Sequence, residues 1–189
     1  MADDVPKVHV GKVESRRAYS GRVISLDVDR VRFPDGSIGE LEMIRHPGAS
    51  AIVPFLTNPH GDEPQILLIR QYRYAADGVI YEVPAGRLDP GESPETCARR
   101  ELTEETGCTA EHVEHLYTMF TTPGFTDEKI HVFVATGLTR GKSKLERDEF
   151  VEVVAVTLTA ALEMVKRGEI SDAKTALSLL YVTGFYLGR

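Results

Sequence analysis

Tryptophan is missing from this chain of 189 residues, and cysteine occurs only twice. Cys97 and Cys108 are eleven positions apart (108 minus 97). Along a helix that spacing is about 16 Å, far beyond the reach of a disulfide. Such a chain suits a reducing compartment, and neither cysteine has the neighbours of a nucleophile. Long apolar runs are also lacking, so no segment reads as a membrane span. The opening Met-Ala-Asp-Asp-Val-Pro has neither the basic nor the apolar region of a signal peptide, and a cytoplasmic location is expected. Positive charge is in deficit, with 22 Lys and Arg against 29 Asp and Glu and a formal net charge of -7. That balance argues against a nucleic-acid binder relying on a basic surface. An anionic ligand would need placed arginines or a metal ion. The six histidines show no ligand spacing, and there is no internal repeat or low-complexity tract.

What is present is an ordinary globular balance, 42% hydrophobic and 27% charged, with a length that suggests one domain and a small extension. Residues 7 to 45 read as β-rich. Val8, Val10 and Val13 begin an irregular strand, Arg22 to Phe33 alternates apolar with polar, and Pro34-Asp35-Gly36 turns the chain into a strand from Ser37 to Arg45. Short apolar runs at Ala49 to Leu56 and Gln65 to Gln71 read as buried strands, followed by Val79 to Val83. Further strands are expected over His112 to Thr121, Lys129 to Thr136 and Phe150 to Leu158. Helices are expected over Thr159 to Arg167 and from Ser171, a plausible cap, to about Leu187. This is mixed α/β patterning without regular βαβα alternation.

One stretch carries chemistry. From Ser93 to Gly107 the chain reads as a helix capped by Ser93, opened by Pro94 and stopped by Gly107. Glu101 and Glu105 stand one turn apart and share a face, with Arg100 and Glu104 beside them. Paired carboxylates at this spacing repel unless a cation lies between them, and hard divalent ions take such oxygen ligands. A lone pair of glutamates would more often be a solvated acidic face. Here Gly86, Glu92, Arg100, Glu101, Leu102, Glu104, Glu105 and Gly107 recur at fixed offsets.

Those residues match Gly-x5-Glu-x7-Arg-Glu-U-x-Glu-Glu-x-Gly-U, and the chain resembles the Nudix hydrolases in that register. The one departure is Cys108 at the last apolar position, where a free thiol serves as a small hydrophobe. The resemblance implies an α/β/α sandwich with a mixed central sheet, here preceded by a β-rich extension. The expected division is residues 1–46 for the extension and 47–189 for the Nudix domain. It also implies Mg²⁺ (with Mn²⁺ able to substitute) held by Glu101, Glu105 and the Ala85 carbonyl. Glu104 either joins them, directly or through water, or pairs with Arg100. Gly86, Glu92, Arg100 and Gly107 are structural in this scheme, with Glu92 bracing the loop through Arg100.

Similarity to bacterial ADP-ribose pyrophosphatases extends further. It takes in His46-Pro47-Gly48, Gln71-Tyr72-Arg73, Pro84-Ala85-Gly86, Asp148-Glu149-Phe150 and Arg167 to Lys174. Pro123 lies sixteen residues beyond Gly107 (123 minus 107), the spacing of that subfamily. The loop Thr122 to Glu128 resembles the one whose glutamate activates water, which makes Glu128 the expected base. Arg73 corresponds to a phosphate-gripping arginine, with Arg70 a weaker second. Glu82 either faces the metals or caps a strand. Arg17, Tyr19 and Arg45, with Arg16 and Arg22 nearby, are expected substrate contacts, since in resembling enzymes swapped N-terminal strands of a homodimer complete the adenosine pocket. The implied reaction is ADP-ribose plus water to AMP and ribose 5-phosphate. GDP-mannose or a broader nucleotide-sugar range is the alternative, and a non-catalytic ADP-ribose sensor is a third reading.

Overall fold

The computed structural model describes residues 9–141 and 151–189. The chain divides into two compact units. One is formed by the chain up to Pro47 together with Phe120–Lys129; the other comprises Gly48–Met119 and Ile130–Arg189. The sequence-expected positions Val8, Asp148, Glu149 and Phe150 lie outside the described residues.

The first unit is built on a three-stranded antiparallel sheet of β1 (Gly11–Ser20), β2 (Ser25–Arg32) and β3 (Ile38–Arg45), in that order. The β2–β3 turn falls where Pro34-Asp35-Gly36 placed it. Gly36 N–H donates to the Phe33 carbonyl at 2.9 Å with a positive φ of 84°, a conformation glycine adopts freely. Asp35 accepts from the backbone N–H of Ser37 at 2.9 Å, the short-range bond that makes Asp a turn former.

The second unit holds the core. A mixed sheet runs β7 (Ala85–Arg87), β4 (Ala49–Pro54), β9 (Lys129–Arg140), β8 (Cys108–Phe120), with β4 and β9 parallel. An antiparallel sheet runs β10 (Val151–Thr157), β5 (Gln65–Arg73), β6 (Gly78–Glu82). The Leu56 N–H bond to the Gln65 carbonyl, 2.8 Å, joins the two where β4 leads into β5. Strands β4, β5 and β9 lack polar alternation because both of their faces are buried. Ala51, Val53, Ile66, Leu68, Val132 and Val134 belong to one apolar cluster, packed with α2 (Leu158–Lys166) and α3 (Ala173–Tyr181) through Leu158, Ala161, Met164 and Leu179. Their neighbours Ile52, Leu67, Phe133 and Ala135 form a second cluster with Ala98 and Leu102 of α1 (Pro94–Thr106). The period of two along each strand thus distributes side chains between two cores, one under α1 and one under α2 and α3. This is a helix, sheet, helix sandwich, as the resemblance implied.

Three local features differ from expectation. Strand β7 is only three residues long, too short to leave a periodic signal, and pairs with β4 from Ala49–Arg87 to Ala51–Ala85. Asp172, not Ser171, caps α3, accepting from the Thr175 N–H at 2.9 Å. The last helix ends at Tyr181 and widens into a π-turn, Val182–Tyr186, closed by Leu187 N–H to the Val182 carbonyl at 2.8 Å. There Thr183 Oγ1 occupies the Leu179 carbonyl at 2.8 Å, and Gly184 adds a weak helix former.

Candidate active site on helix α1

Helix α1 begins and ends as its sequence dictates. Ser93 Oγ accepts the Thr96 N–H at 3.2 Å, Pro94 fills the first helical position, and Gly107 closes the helix in the left-handed region at φ 71°. Between these ends Glu101 and Glu105 are both buried although ionisable, with Glu105 only 2% exposed. Burial of two carboxylates on one face is costly unless they are compensated.

A guanidinium and a main-chain group contribute to that compensation. Arg100 grips Glu92 with two parallel bonds of 3.0 Å from Nε and Nη2. Its Nη1 donates to Glu101 at 2.6 Å and to Glu104 at 2.9 Å. Nη2 also donates to the Arg87 carbonyl at 3.0 Å, which ties the helix to the strand before it. Glu92 further accepts the Asp89 N–H at 3.1 Å. The Arg100 hydrogen bond holds Glu92 below the usual carboxylate range, with burial opposing it. Glu105 accepts the Ala85 N–H at 3.0 Å, which brings Ala85 beside the metal-ligand pair named from sequence. Arg100 thus links Glu92 of the loop to the helix, and Glu104 is found on Arg100.

Gly86 is required by close approach. A Cβ there would meet Glu101 Oε1 at 1.7 Å and its Cδ at 2.1 Å. The hydrogen of Gly86 thus makes the room in which the Glu101 carboxylate lies. Cys97 is fully buried at the same corner, with its thiol near the Gly86 and Arg87 carbonyls at 3.4 and 3.5 Å. Burial, then the Glu101 charge, pushes that thiol up to about 11.

Whether a metal fits can be judged from these donors. Three carboxylates, Glu92, Glu101 and Glu104, gather around Arg100, and Glu105 lies on the Ala85 N–H one helical turn from Glu101. The available atoms are carboxylate and carbonyl oxygens, the donor type of Mg²⁺ and related hard ions. Among the described residues no three acidic, histidine or cysteine side chains converge, as they stand, on a point where a metal ion could be held. An open set that leaves positions for waters and phosphate oxygens is what Mg²⁺ prefers. The residues present fit.

A second cluster adjoins it in charge. Glu82, at the end of β6 and 1% exposed, accepts Arg73 Nε at 2.6 Å and Nη2 at 3.0 Å, and also pairs with Lys174. Lys174 donates on to Asp172 at 3.0 Å. Burial works to raise the Glu82 pKa, but Arg73 and Lys174 override it and hold Glu82 ionised below its ordinary value. Arg73 is in turn held charged, chiefly by Glu82 and at longer range by Glu105. A cavity of about 380 Å³ opens here, lined by Arg73, Glu82, Asp172 and Lys174. The two expected substrate residues Arg73 and Glu82 are thus brought together. Lys174 and Asp172 were not singled out from sequence. They lie some ninety positions from Glu82, and no local pattern links them.

Arg70, the weaker second to Arg73, pairs with Glu152 on β10, and the other expected residues fall in the first unit. Arg17 pairs with Asp27, and Arg45 with Asp27, Asp29 and Asp127. Tyr19 is largely exposed. Glu128 accepts Thr121 Oγ1 at 2.8 Å and faces His46 Nδ1 at 3.3 Å.

A NUDIX domain model matches residues 46–178. The chain belongs to the Nudix family, and its relatives are close enough to carry more than the fold. It is 42% identical to ADP-ribose pyrophosphatase of Bacillus subtilis (strain 168) over 172 residues, 90% of each chain. It is 41% identical to the methanol dehydrogenase activator of Bacillus methanolicus over the same length and coverage. Among solved structures, an ADP compounds hydrolase superposes with a TM-score of 0.79 over 95% of both chains at 20% identity, a likeness of fold. Among the described residues no helix is long and apolar enough to cross a membrane.

Proposed function

We propose that this chain hydrolyses the diphosphate bond of a nucleoside diphosphate sugar, and that ADP-ribose is its substrate, giving AMP and ribose 5-phosphate. The observation that carries the reading is the buried Glu101 and Glu105 pair on α1, compensated by Arg100 and the Ala85 N–H and given room by Gly86. Similarity to an ADP-ribose pyrophosphatase over 90% of the chain supports the substrate.

Glu101, Glu105 and the Ala85 carbonyl would hold the divalent ion, Mg²⁺ with Mn²⁺ able to substitute, and Glu104 stands beside them on Arg100. When bound, that ion supplies polarisation of a phosphate oxygen and a lowered pKa for water. Arg73, with its planar fork, orients phosphate oxygens by paired bonds once substrate competes with Glu82. Glu128 takes the proton of the attacking water. Arg17 and Tyr19 contribute to the nucleoside pocket of a homodimer with exchanged N-terminal strands, and the enzyme works in the cytoplasm. A non-catalytic sensor role leaves the intact acidic helix of this chain without a purpose.

The test is a panel of ADP-ribose, GDP-mannose and other nucleotide sugars incubated with the protein and Mg²⁺, with products separated and quantified. The highest kcat/KM is expected for ADP-ribose. A higher value for GDP-mannose would move the substrate assignment, and no turnover of any nucleotide sugar would overturn the proposal.

A further inference from the structure

Arg45, expected from sequence as a substrate contact, binds three aspartates of its own unit. Nε donates to Asp27 Oδ2 at 3.1 Å, Nη1 donates to Asp127 Oδ2 at 3.1 Å, and Nη2 pairs with Asp29. Asp27 and Asp29 lie two apart on β2 and so share a face of the sheet. Asp27 stands opposite Arg17 on β1 and pairs with it, and Asp29 stands opposite Ser15 and accepts its hydroxyl at 2.6 Å. Burial opposes the charge on Arg45, but Asp27, Asp127 and Asp29 together raise its pKa. Each nitrogen of the fork carries a bond to an aspartate of the unit.

Asp127 is the one member of this network that is not on the sheet. Its carboxylate spans two consecutive residues, with Oδ2 on Arg45 and Oδ1 accepting the His46 N–H at 3.0 Å. Around it the loop is stitched to the end of β3. Ile44 N–H donates to the Phe125 carbonyl at 2.8 Å, and Asp127 N–H donates to the Ile44 carbonyl at 3.2 Å. The next residue is Glu128. Its backbone N–H donates to Thr126 Oγ1 at 3.2 Å, its carbonyl accepts Thr121 N–H at 3.3 Å, and its carboxylate lies between Thr121 Oγ1 and His46 Nδ1. The backbone that presents Glu128 is therefore set by the Asp127 clamp, and the clamp is anchored by Arg45.

We infer that Arg45 and Asp127 are positioning residues for Glu128, so that the N-terminal sheet fixes where the base stands. This rests on the reading of Glu128 as the base. Arg45 acts through Asp127 and does not contact the nucleotide sugar. The geometry also explains why arginine is needed: a lysine ammonium is a point charge and cannot direct three bonds in one plane to three carboxylates.

The experiment is a double-mutant cycle on the full chain with ADP-ribose and Mg²⁺, measuring kcat, KM and melting temperature. Asp127→Asn is the main variant. Its side chain is 40% exposed, and loss of such a pair costs little stability, so the fold should be kept. Misplacing a catalytic group by an ångström costs up to about a hundredfold, so Asp127→Asn is expected to lower kcat by roughly ten- to a hundredfold with KM within about twofold. Arg45→Lys should act in the same direction. In a Glu128→Gln background, itself reduced roughly a hundredfold or more, Asp127→Asn should reduce kcat no further. A rise in KM at unchanged kcat would overturn the inference in favour of substrate binding. Losses that multiply in the Glu128→Gln background, or no loss at all from Asp127→Asn, would also overturn it while leaving the base assignment in place. Wild-type turnover by Glu128→Gln would remove the base assignment and this inference with it.

Discussion

Replacing Gly86 by alanine separates the metal-binding role proposed for Glu101 from the folding of the chain. The added Cβ would fall 1.7 Å from Glu101 Oε1, half the 3.4 Å at which ordinary contact begins. The carboxylate must retreat by about as much again, yet it is buried and held by Arg100 at 2.6 Å. Retreat means leaving its place on the α1 face. Overpacking of this kind costs about 1–3 kcal/mol, and moving a catalytic group by an ångström or more costs about a hundredfold in rate. In a domain of this size the stability cost lowers the melting temperature by about 2–12 °C, a folded enzyme at assay temperature. The assay is kcat against Mg²⁺ concentration, paired with a thermal melt. Gly86→Ala is expected to melt slightly early, to need more Mg²⁺ and to turn over roughly a hundredfold more slowly at saturation. Wild-type kcat and Mg²⁺ dependence in a folded Gly86→Ala protein would refute the claim that Glu101 acts from this position.

Two further outcomes follow from the charges. Glu92, held below its unfolded value of 4.5 by Arg100, contributes stability that is present above that value and is lost as pH falls through its lower folded value. Glu82 behaves likewise, so melting temperature should be level near neutrality and decline below about pH 4.5, with a shallower acid decline in Glu92→Gln. Cys97, pushed up to about 11 and fully buried, and Cys108, also buried, should resist alkylation at pH 8 in the native protein and both react after denaturation. Rapid native labelling of Cys97 would show that the α1–β7 corner opens.

The parts of this architecture that were legible in the sequence are those written locally. Helix α1 was readable because Ser93, Pro94 and Gly107 punctuate it within fifteen residues, and because the Arg100–Glu92 brace spans only eight positions. Strands β4, β5 and β9 were readable as continuous apolar runs because both faces are buried. What escaped depends on partners distant in sequence. Strand β7 exists only as an edge on β4. Lys174 meets Glu82 across ninety-two positions, and Arg45 meets Asp127 across eighty-two. An arginine among alternating strand residues looks the same in sequence whether it faces a phosphate or three aspartates. The π-turn at Val182–Tyr186 escaped because the apolar periodicity ran on unbroken to Leu187.

The central claim is that the buried α1 carboxylates organise hydrolysis of a nucleotide-sugar diphosphate. It is tested most directly by mass-spectrometric product analysis of ADP-ribose incubated with Mg²⁺ and either the wild-type protein or Glu105→Gln. The wild-type protein is expected to release AMP and ribose 5-phosphate in equal amounts, and Glu105→Gln to lose turnover far more than affinity. Equal product release by Glu105→Gln with unchanged Mg²⁺ dependence would contradict the account.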